Sequence, residues 1–269
     1  MRAFCASIVI FAVSLGVAAQ NRLVFEAASV KVNRTLPFGG GIDYSGARLM
    51  AEGVTLQELV RAAYGEPPKW LPSSSIIGAP DWATKDKFDV VATAGSAAPP
   101  GASAEKRLML RALLVDRFKL TIRHETRESA VYTLVRLRAD GRLGPNLHSG
   151  QPCDDPASCG MRLGIGPVAS MFGRGQAFEG IVNFFSRLVD APVIDRTGLT
   201  GLFDVDMHFN SEQLAALRLP AGIGRAEDTQ ADQPSFFTAV QEQLGLKLDS
   251  TRGPVDVLVI DHVERPAEN

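Results

Sequence analysis

Two stretches of this chain run through the same order of elements, and that internal similarity constrains the fold more than any other feature. ARLMAEGVTLQELVRAAYG, residues 47–65, reads as a short strand, a glycine and an amphipathic helix. ASMFGRGQAFEGIVNFFSRLV, residues 169–189, repeats that order. WATKDKFDVVATA is answered by TGLTGLFDVDMHF, which sets Phe203, Asp204 and Val205 on Phe88, Asp89 and Val90. LMLRALLVDRFKLTIRHETRESAVYTLVRL is answered by FFTAVQEQLGLKLDSTRGPVDVLVIDHV. In each of these a helix runs into a strand, a charged turn at Thr126-Arg127-Glu128 or its counterpart, and a second strand. Here Phe118-Lys119-Leu120 matches Leu246-Lys247-Leu248, and residues 131–135 match residues 255–259. A repeat of this length implies two similar structural units, with coincidence among ordinary α+β patterns as the alternative.

Each unit supplies about two helices and four strands. In the first, Leu56, Leu59, Val60 and Ala63 form the stripe of one helix, which Gly65 and Pro67-Pro68 stop. The second helix spans residues 105–117, with Leu108, Leu110, Ala112, Leu113 and Leu114 read as mostly buried. LVFEAASVKVN, residues 23–33, reads as a strand that can complete one sheet. The expected fold is therefore α+β: two similar halves, each a mostly antiparallel sheet with about two helices. The boundaries are 20–137 for the first half and 168–269 for the second. Residues 138–167, rich in Gly, Pro and Asn, join them as a linker. Each half is small for an independent core, so the two should pack as one unit. The glycines of GRGQAFEG match neither phosphate-binding spacing and read as a turn and helix entry. Residues 95–104 and 210–233 read as polar loops, the latter with one possible helical turn at SEQLAALRL.

The chain opens MRAFCASIVIFAVSLGVAAQ. One Arg, an apolar run over residues 4–17 and small residues at Val17-Ala18-Ala19 describe a secretory signal peptide, residues 1–19. The run falls short of the ~20 residues of a membrane span, and the alternative is an uncleaved anchor. An exported protein, periplasmic or secreted, is expected, with no transmembrane segment in its mature chain. Without Arg2, 27 basic residues face 30 acidic ones, a net charge of −3 with His neutral. That balance gives no electrostatic footprint for nucleic acid.

Export makes a disulfide the expected fate of Cys153 and Cys159 in QPCDDPASCG. A zinc site with His148 and Asp154 lacks the short paired spacings such sites use, and a C-x-x-C redox pair is absent. No H-E-x-x-H helix and no G-x-S-x-G elbow occurs. His124 and His262 each adjoin an acid, Glu125 or Asp261, which raises an acid–base pair against a solvated strand end. Tyr64, Trp70 and Trp82 lie beside prolines in GEPPKW and APDW and are candidates for a peptide- or sugar-binding platform, with core packing the other reading. Asp195, Thr197 and Thr200 in VIDRTGLTG are candidates for a backbone nest, with a tight turn as the alternative. No catalytic residue, metal ligand or cofactor is assigned.

FEAASVKVN, GVTLQELVRAAYG, GAPDW with KFDVVATA, MLRALLVDRFKLTIRHETRESAVY, PVIDRTGLTGLFDVDMHF and the C-terminal PSFFTAVQEQLGLKLDSTRGPVDVLVIDHVERPAEN carry a family resemblance over nearly the whole mature chain. The chain resembles the soil-associated protein family of unknown function found in acidobacteria and other soil bacteria. The resemblance implies an exported protein and, in some relatives, a sensor-side partner of a membrane metallopeptidase; it carries no catalytic set. His208 stands where the family pattern suggests an aromatic-acidic one. The expected function is a non-catalytic ligand- or protein-binding or sensor module of the envelope, its partner an envelope protein or peptide. The alternatives are an envelope hydrolase with an unrecognised site between the halves and a structural self-assembling envelope protein.

Overall fold

A computed structural model of the chain describes residues 23–35, 40–65, 70–95, 104–153, 159–164, 168–210 and 233–267. In chain order the strands are β1 Ala27–Asn33, β2 Ile42–Ser45, β3 Arg48–Thr55, β4 Ile76–Ile77, β5 Lys87–Thr93, β6 Thr121–Arg136, β7 Leu147–Ser149, β8 Gly160–Gly164, β9 Val168–Ala177, β10 Val193–Asp195, β11 Leu202–Asn210 and β12 Leu246–His262. The helices are α1 Leu56–Tyr64, α2 Trp82–Lys85, α3 Ala104–Phe118, α4 Phe178–Val189 and α5 Phe236–Leu244. The fold is α+β. The loops expected at 95–104 and 210–233, the helical turn at SEQLAALRL and Asp154 lie almost wholly outside the described residues.

Two four-stranded antiparallel sheets have corresponding orders, β1-β5-β3-β2 and β7-β11-β9-β8. The first is covered by α1 and α3. Its core gathers Val30, Leu49, Leu59, Phe88, Leu114 and Phe118. The second is covered by α4 and α5, with Met171, Ile181, Phe185, Met207, Phe209 and Phe236 inside. Thr55 starts α1 with a capping box: its hydroxyl accepts from the Glu58 amide, and Glu58 Oε2 accepts from the Thr55 amide at 2.6 Å. Ser235 caps α5 by accepting from the Thr238 amide.

The recurring Phe-Asp-Val has a structural cause. β3 and β9 each carry a β-bulge near the helix they lead into, where Gly53 and Gly175 both adopt φ 58°. A bulge leaves a backbone N–H without a ladder partner. Asp89 Oδ1 accepts from the Gly53 amide at 2.8 Å, and Asp204 Oδ1 accepts from the Gly175 amide at 2.7 Å. Phe88 and Val90, like Phe203 and Val205, point into the cores on either side of the acid.

The charged turns expected at Thr126-Arg127-Glu128 and at its counterpart do not form. β6 and β12 are each one unbroken strand, and they pair with each other antiparallel along their length. The triplet lacks the Gly, Asn or Pro that reverses a chain, whereas in the counterpart Gly253 and Pro254 stay within β12, opposite Ser129 and Glu128. Its charges are satisfied along the ribbon: Arg127 grips Glu125 with two nitrogens at 2.7 and 3.0 Å, Arg123 bonds Glu125 and Asp261, and Thr126 donates to Asp256 across the strands. Ile122 faces Ile260 at one end of the ribbon and Leu134 faces Leu248 at the other. The first end enters the first core and the second end enters the second. β4 runs parallel beside β12, and β10 runs parallel beside β6. Each half thus adds a short strand to the other half's long one.

Two further expectations shift. Lys119 and Gly245 both turn the chain just past a helix with positive φ, so Leu120 corresponds to Leu246, two residues from the sequence match. Residues 138–167 are no plain linker, since β7 and β8 within them edge the second sheet. Their charged and glycine-rich composition suits short edge strands.

Replacing Asp89 or Asp204 by Ala leaves a bulge amide unpaired and should lower stability by about 1–3 kcal/mol in either half. Urea unfolding checks this. Because the cores share the ribbon, each variant should still unfold in one transition; two separated transitions would contradict the shared-ribbon account.

Candidate functional site

A groove of about 1170 Å³ lies between α3 and the segment that leads into β1. Leu23, Val24, Leu108 and Val115 line it and are 43–52% exposed. Among the described residues they are four of the five large apolar side chains left exposed, the fifth being Leu137. Phe25 and Leu113 link the groove to the first core. Soluble proteins rarely gather exposed apolar side chains in one place without a use for them.

The charges around the groove are held by local bonds. Arg117 pairs with Asp116 at 3.0 Å and donates to the Ala28 carbonyl at 3.2 Å, tying α3 to the N-terminal segment. Lys119 Nζ donates to the Asp116 carbonyl at 2.7 Å. The Glu26 backbone amide donates to the Thr93 carbonyl, extending the edge of the first sheet along the groove. Among the described residues, those that line it include no histidine, cysteine, serine or threonine.

The sequence pattern hides this site, because it sets Leu108 and Ala112 on the buried stripe of α3. In the structure Met109, Leu110, Leu113 and Leu114 are buried, while Leu108 faces out. The signal was present: Leu108, Ala112 and Val115 are spaced i, i+4, i+7, a second apolar stripe that one core-facing face cannot absorb.

The aromatic candidates have separate partners. Tyr64 stacks with Arg111, whose guanidinium lies 4.6 Å from the ring centre, and burial pushes its hydroxyl pKa up. Trp82 meets Phe88 edge-on at 6.3 Å at the margin of the first core and carries Arg265 over its ring. Trp70 lies where the halves meet. Arg61 of α1 and Arg187 of α4 both sit over its ring, at 4.6 and 5.4 Å. Asp190, the left-handed cap of α4, pairs with Arg61 at 3.5 Å and accepts from the Ser73 amide at 2.9 Å.

Asp195 and Thr197 build a tight turn. Asp195 Oδ1 accepts from the Thr197 amide and hydroxyl at 2.8 and 2.7 Å, and Thr197 Oγ1 accepts from the Leu199 amide at 3.1 Å. Those amides are turned to the chain's own side chains. Thr200 is exposed in the same loop.

Cys153 and Cys159 are brought together as two thiols. The hydrogen bond with Cys159 and then burial push the Cys153 thiol pKa up, and Cys153 Sγ lies 3.3 Å from the Arg174 carbonyl. The acids beside His124 and His262 bond elsewhere: Glu125 belongs to Arg127 and Arg123, Asp261 to Arg123, and His262 contacts Glu264 at 2.9 Å. His208 lies 3.3 Å from Asp206. His148 stands opposite Asp204 in the strand register. Among the described residues no group of three or more His, Cys, Asp or Glu side chains is placed to hold a metal ion, and no helix is long and apolar enough to cross a membrane.

A family model described as a protein of unknown function (DUF3738) matches residues 57–263, from the first turn of α1 to just past β12. It includes α3, Trp70 and the thiol pair but not the groove's N-terminal wall. Comparison with curated proteins and with solved structures returns no match.

Two titrations follow from these contacts. Arg127, then Arg123, hold the Glu125 carboxyl at about 2, below the ordinary glutamate range. Its contribution to stability is therefore complete above that range and is lost as pH falls through about 2. Carbon-detected NMR should place its midpoint there, and Arg127→Gln should raise it. Incubation with oxidised glutathione should convert Cys153 and Cys159 to a disulfide, stabilising the chain by about 2 kcal/mol. Thiol titration and thermal melting check this, and two persisting thiols at these positions would refute it.

Proposed function

The chain belongs to this family of unknown function, and from that premise we propose that it is an exported, non-catalytic binding module of the cell envelope. Its groove beside α3 takes an apolar segment of a partner protein or peptide. The gathering of Leu23, Val24, Leu108 and Val115 in one groove carries the reading. Export rests on the leader-like N-terminus and on the paired cysteines, and the resemblance to exported proteins of soil bacteria agrees with it. The corresponding strand orders of the two flanking sheets support an origin by duplication.

The groove's chemistry favours binding over hydrolysis, since among the described residues its lining offers carboxylates and cations but no nucleophile–base pair. The four apolar side chains are already about half covered. Burying the remainder contributes about 3–6 kcal/mol gross, much of which the loss of translational freedom offsets for a free ligand. A partner therefore needs more than apolar contact. β1, an edge strand whose Ala27 and Ala28 line the groove, supplies a backbone edge onto which a partner strand can add.

The test uses the chain 20–269 and the fluorescent probe anilinonaphthalene sulfonate. One class of binding sites is expected, weakened about tenfold or more by Val115→Glu, the loss that desolvating a carboxylate in an apolar site entails. Val115 is 52% exposed, so the melting temperature should hardly move. Probe binding indifferent to Val115→Glu would sink the reading.

A further inference from the structure

We propose that the outer edge of β6, residues 122–130, pairs with the same edge of a second copy of this chain, antiparallel and centred on Thr126, to give a twofold-symmetric dimer. The inference goes beyond the groove and does not depend on it.

The backbone shows which groups are on offer. β10 lies beside β6 only from Tyr132 to Leu134. There the Tyr132 amide donates to the Pro192 carbonyl and the Leu134 carbonyl accepts from the Arg196 amide, so these residues turn their peptide groups away from β12. The pairing with β12 runs from Ile122 to Arg136 without a shift, so the alternation continues down the strand. Ile122, His124, Thr126, Glu128 and Ala130 therefore turn their peptide groups outward as well. Pro254 gives the same phase: it stands opposite Glu128, where a nitrogen without a proton fits only if it faces away from β6. Among the described residues no strand and no backbone group bonds the outer edge of these five. One side chain does: the Glu128 carbonyl accepts from Arg252 Nη2 at 3.2 Å, an exposed bond that an incoming amide replaces. The outer edge of β12 is also long, but Pro254 interrupts it. An open edge of this length is a template for another strand.

The charges choose the strand. A charged edge rejects most partners, but this one is complementary to itself in one register. With Thr126 on the axis, Glu125 faces Arg127 of the other copy and His124 faces Glu128, each twice, and no like charges stand opposite. Moving the axis to Glu125 sets Glu125 against itself and Arg123 against Arg127. Moving it to Arg127 sets Arg127 against itself. Glu125 and Arg127 would meet in a non-hydrogen-bonded pair, where side chains approach most closely. Arg123, Glu125 and Arg127 are 52, 32 and 40% exposed, so they can extend their own chain's network across the axis.

The experiment uses the chain 20–269, which holds every described residue, with Cys153→Ser and Cys159→Ser removing its thiols. Sedimentation equilibrium over about 1–100 µM should show monomer and dimer in exchange. Thr126→Pro deletes an outward amide on both sides of the axis and spares the ladder with β12, so it should weaken the dimer about tenfold or more. Thr126→Val, which keeps the amide, should dimerise as before. Thr126→Cys puts two thiols on the axis, where opposed Cα atoms of a hydrogen-bonded pair lie about 5.5 Å apart, within disulfide reach. Mild oxidation should link two such chains, whereas Glu128→Cys, which faces His124, should not link to itself. If Thr126→Pro fails to fold, the two cysteine variants decide alone. A monomer at every concentration overturns the proposal. So does a dimer that Thr126→Pro leaves intact, or one that links through Glu128→Cys and not through Thr126→Cys. None of these outcomes touches the groove reading, whose test rests on Val115.

Discussion

The pairing of β6 with β12 is the constraint on which the rest of this structure depends. These are the two longest strands, each belongs to a different half, and each runs through both cores. Ile122 and Ile260 close one core, while Leu134 and Leu248 close the other. Neither half can complete its apolar interior from its own residues. The parallel additions of β4 to β12 and of β10 to β6 repeat the exchange at the edges of the central sheet. Sharing the ribbon therefore couples the two cores, since each is closed in part by a strand of the other half. The charged residues of the ribbon fit this arrangement: Arg123, Glu125, Arg127 and Asp261 are partly exposed and satisfy one another along it.

A second device recurs in both halves and does different work in each. The aspartate of Phe-Asp-Val anchors the bulge glycine, which lets the chain turn from a strand into the helix that covers it. In the first half Asn33 joins the latch, donating to Asp89 Oδ1 at 2.8 Å. In the second half the loop bearing Cys153 approaches the bulge. A Cβ on Gly175 would lie 2.4 Å from the Gln151 carbonyl oxygen and 3.4 Å from Cys153 Sγ. Glycine is thus required there twice over, by its φ and by the space it leaves. The thiol pair sits against the latch of the second sheet, so oxidation would pin the loop to the bulge without altering the core.

The groove arises because α3 carries more apolar residues than one buried face can hold. Its inner stripe of Met109, Leu110, Leu113 and Leu114 pays for the helix's own packing. The outer Leu108 and Val115 add nothing to that packing and meet the N-terminal segment only in part. α5, its counterpart by position in the second half, leaves no large apolar residue exposed. The two halves therefore share a scaffold but not a surface, and the binding reading attaches to the half that differs.

Much of the local structure was determined by sequence alone. The α1 stripe, its Thr55 entry and Gly65 stop, the Phe-Asp-Val strands and the α+β class all follow from periodicity, capping chemistry and strand alternation, which act over a few residues. The candidate turn at Asp195 and Thr197 was legible in the same way, because its hydrogen bonds close within five residues. Tertiary structure alone decided the rest. Whether Thr126-Arg127-Glu128 bends or runs straight depends on a partner strand more than a hundred residues away, and no local preference reports it. Whether Leu108 faces a core or a groove depends on which side of α3 the sheet occupies. Trp70 likewise has no neighbours of note in the chain, yet Arg61 and Arg187 meet over its ring because the shared ribbon draws the two halves together.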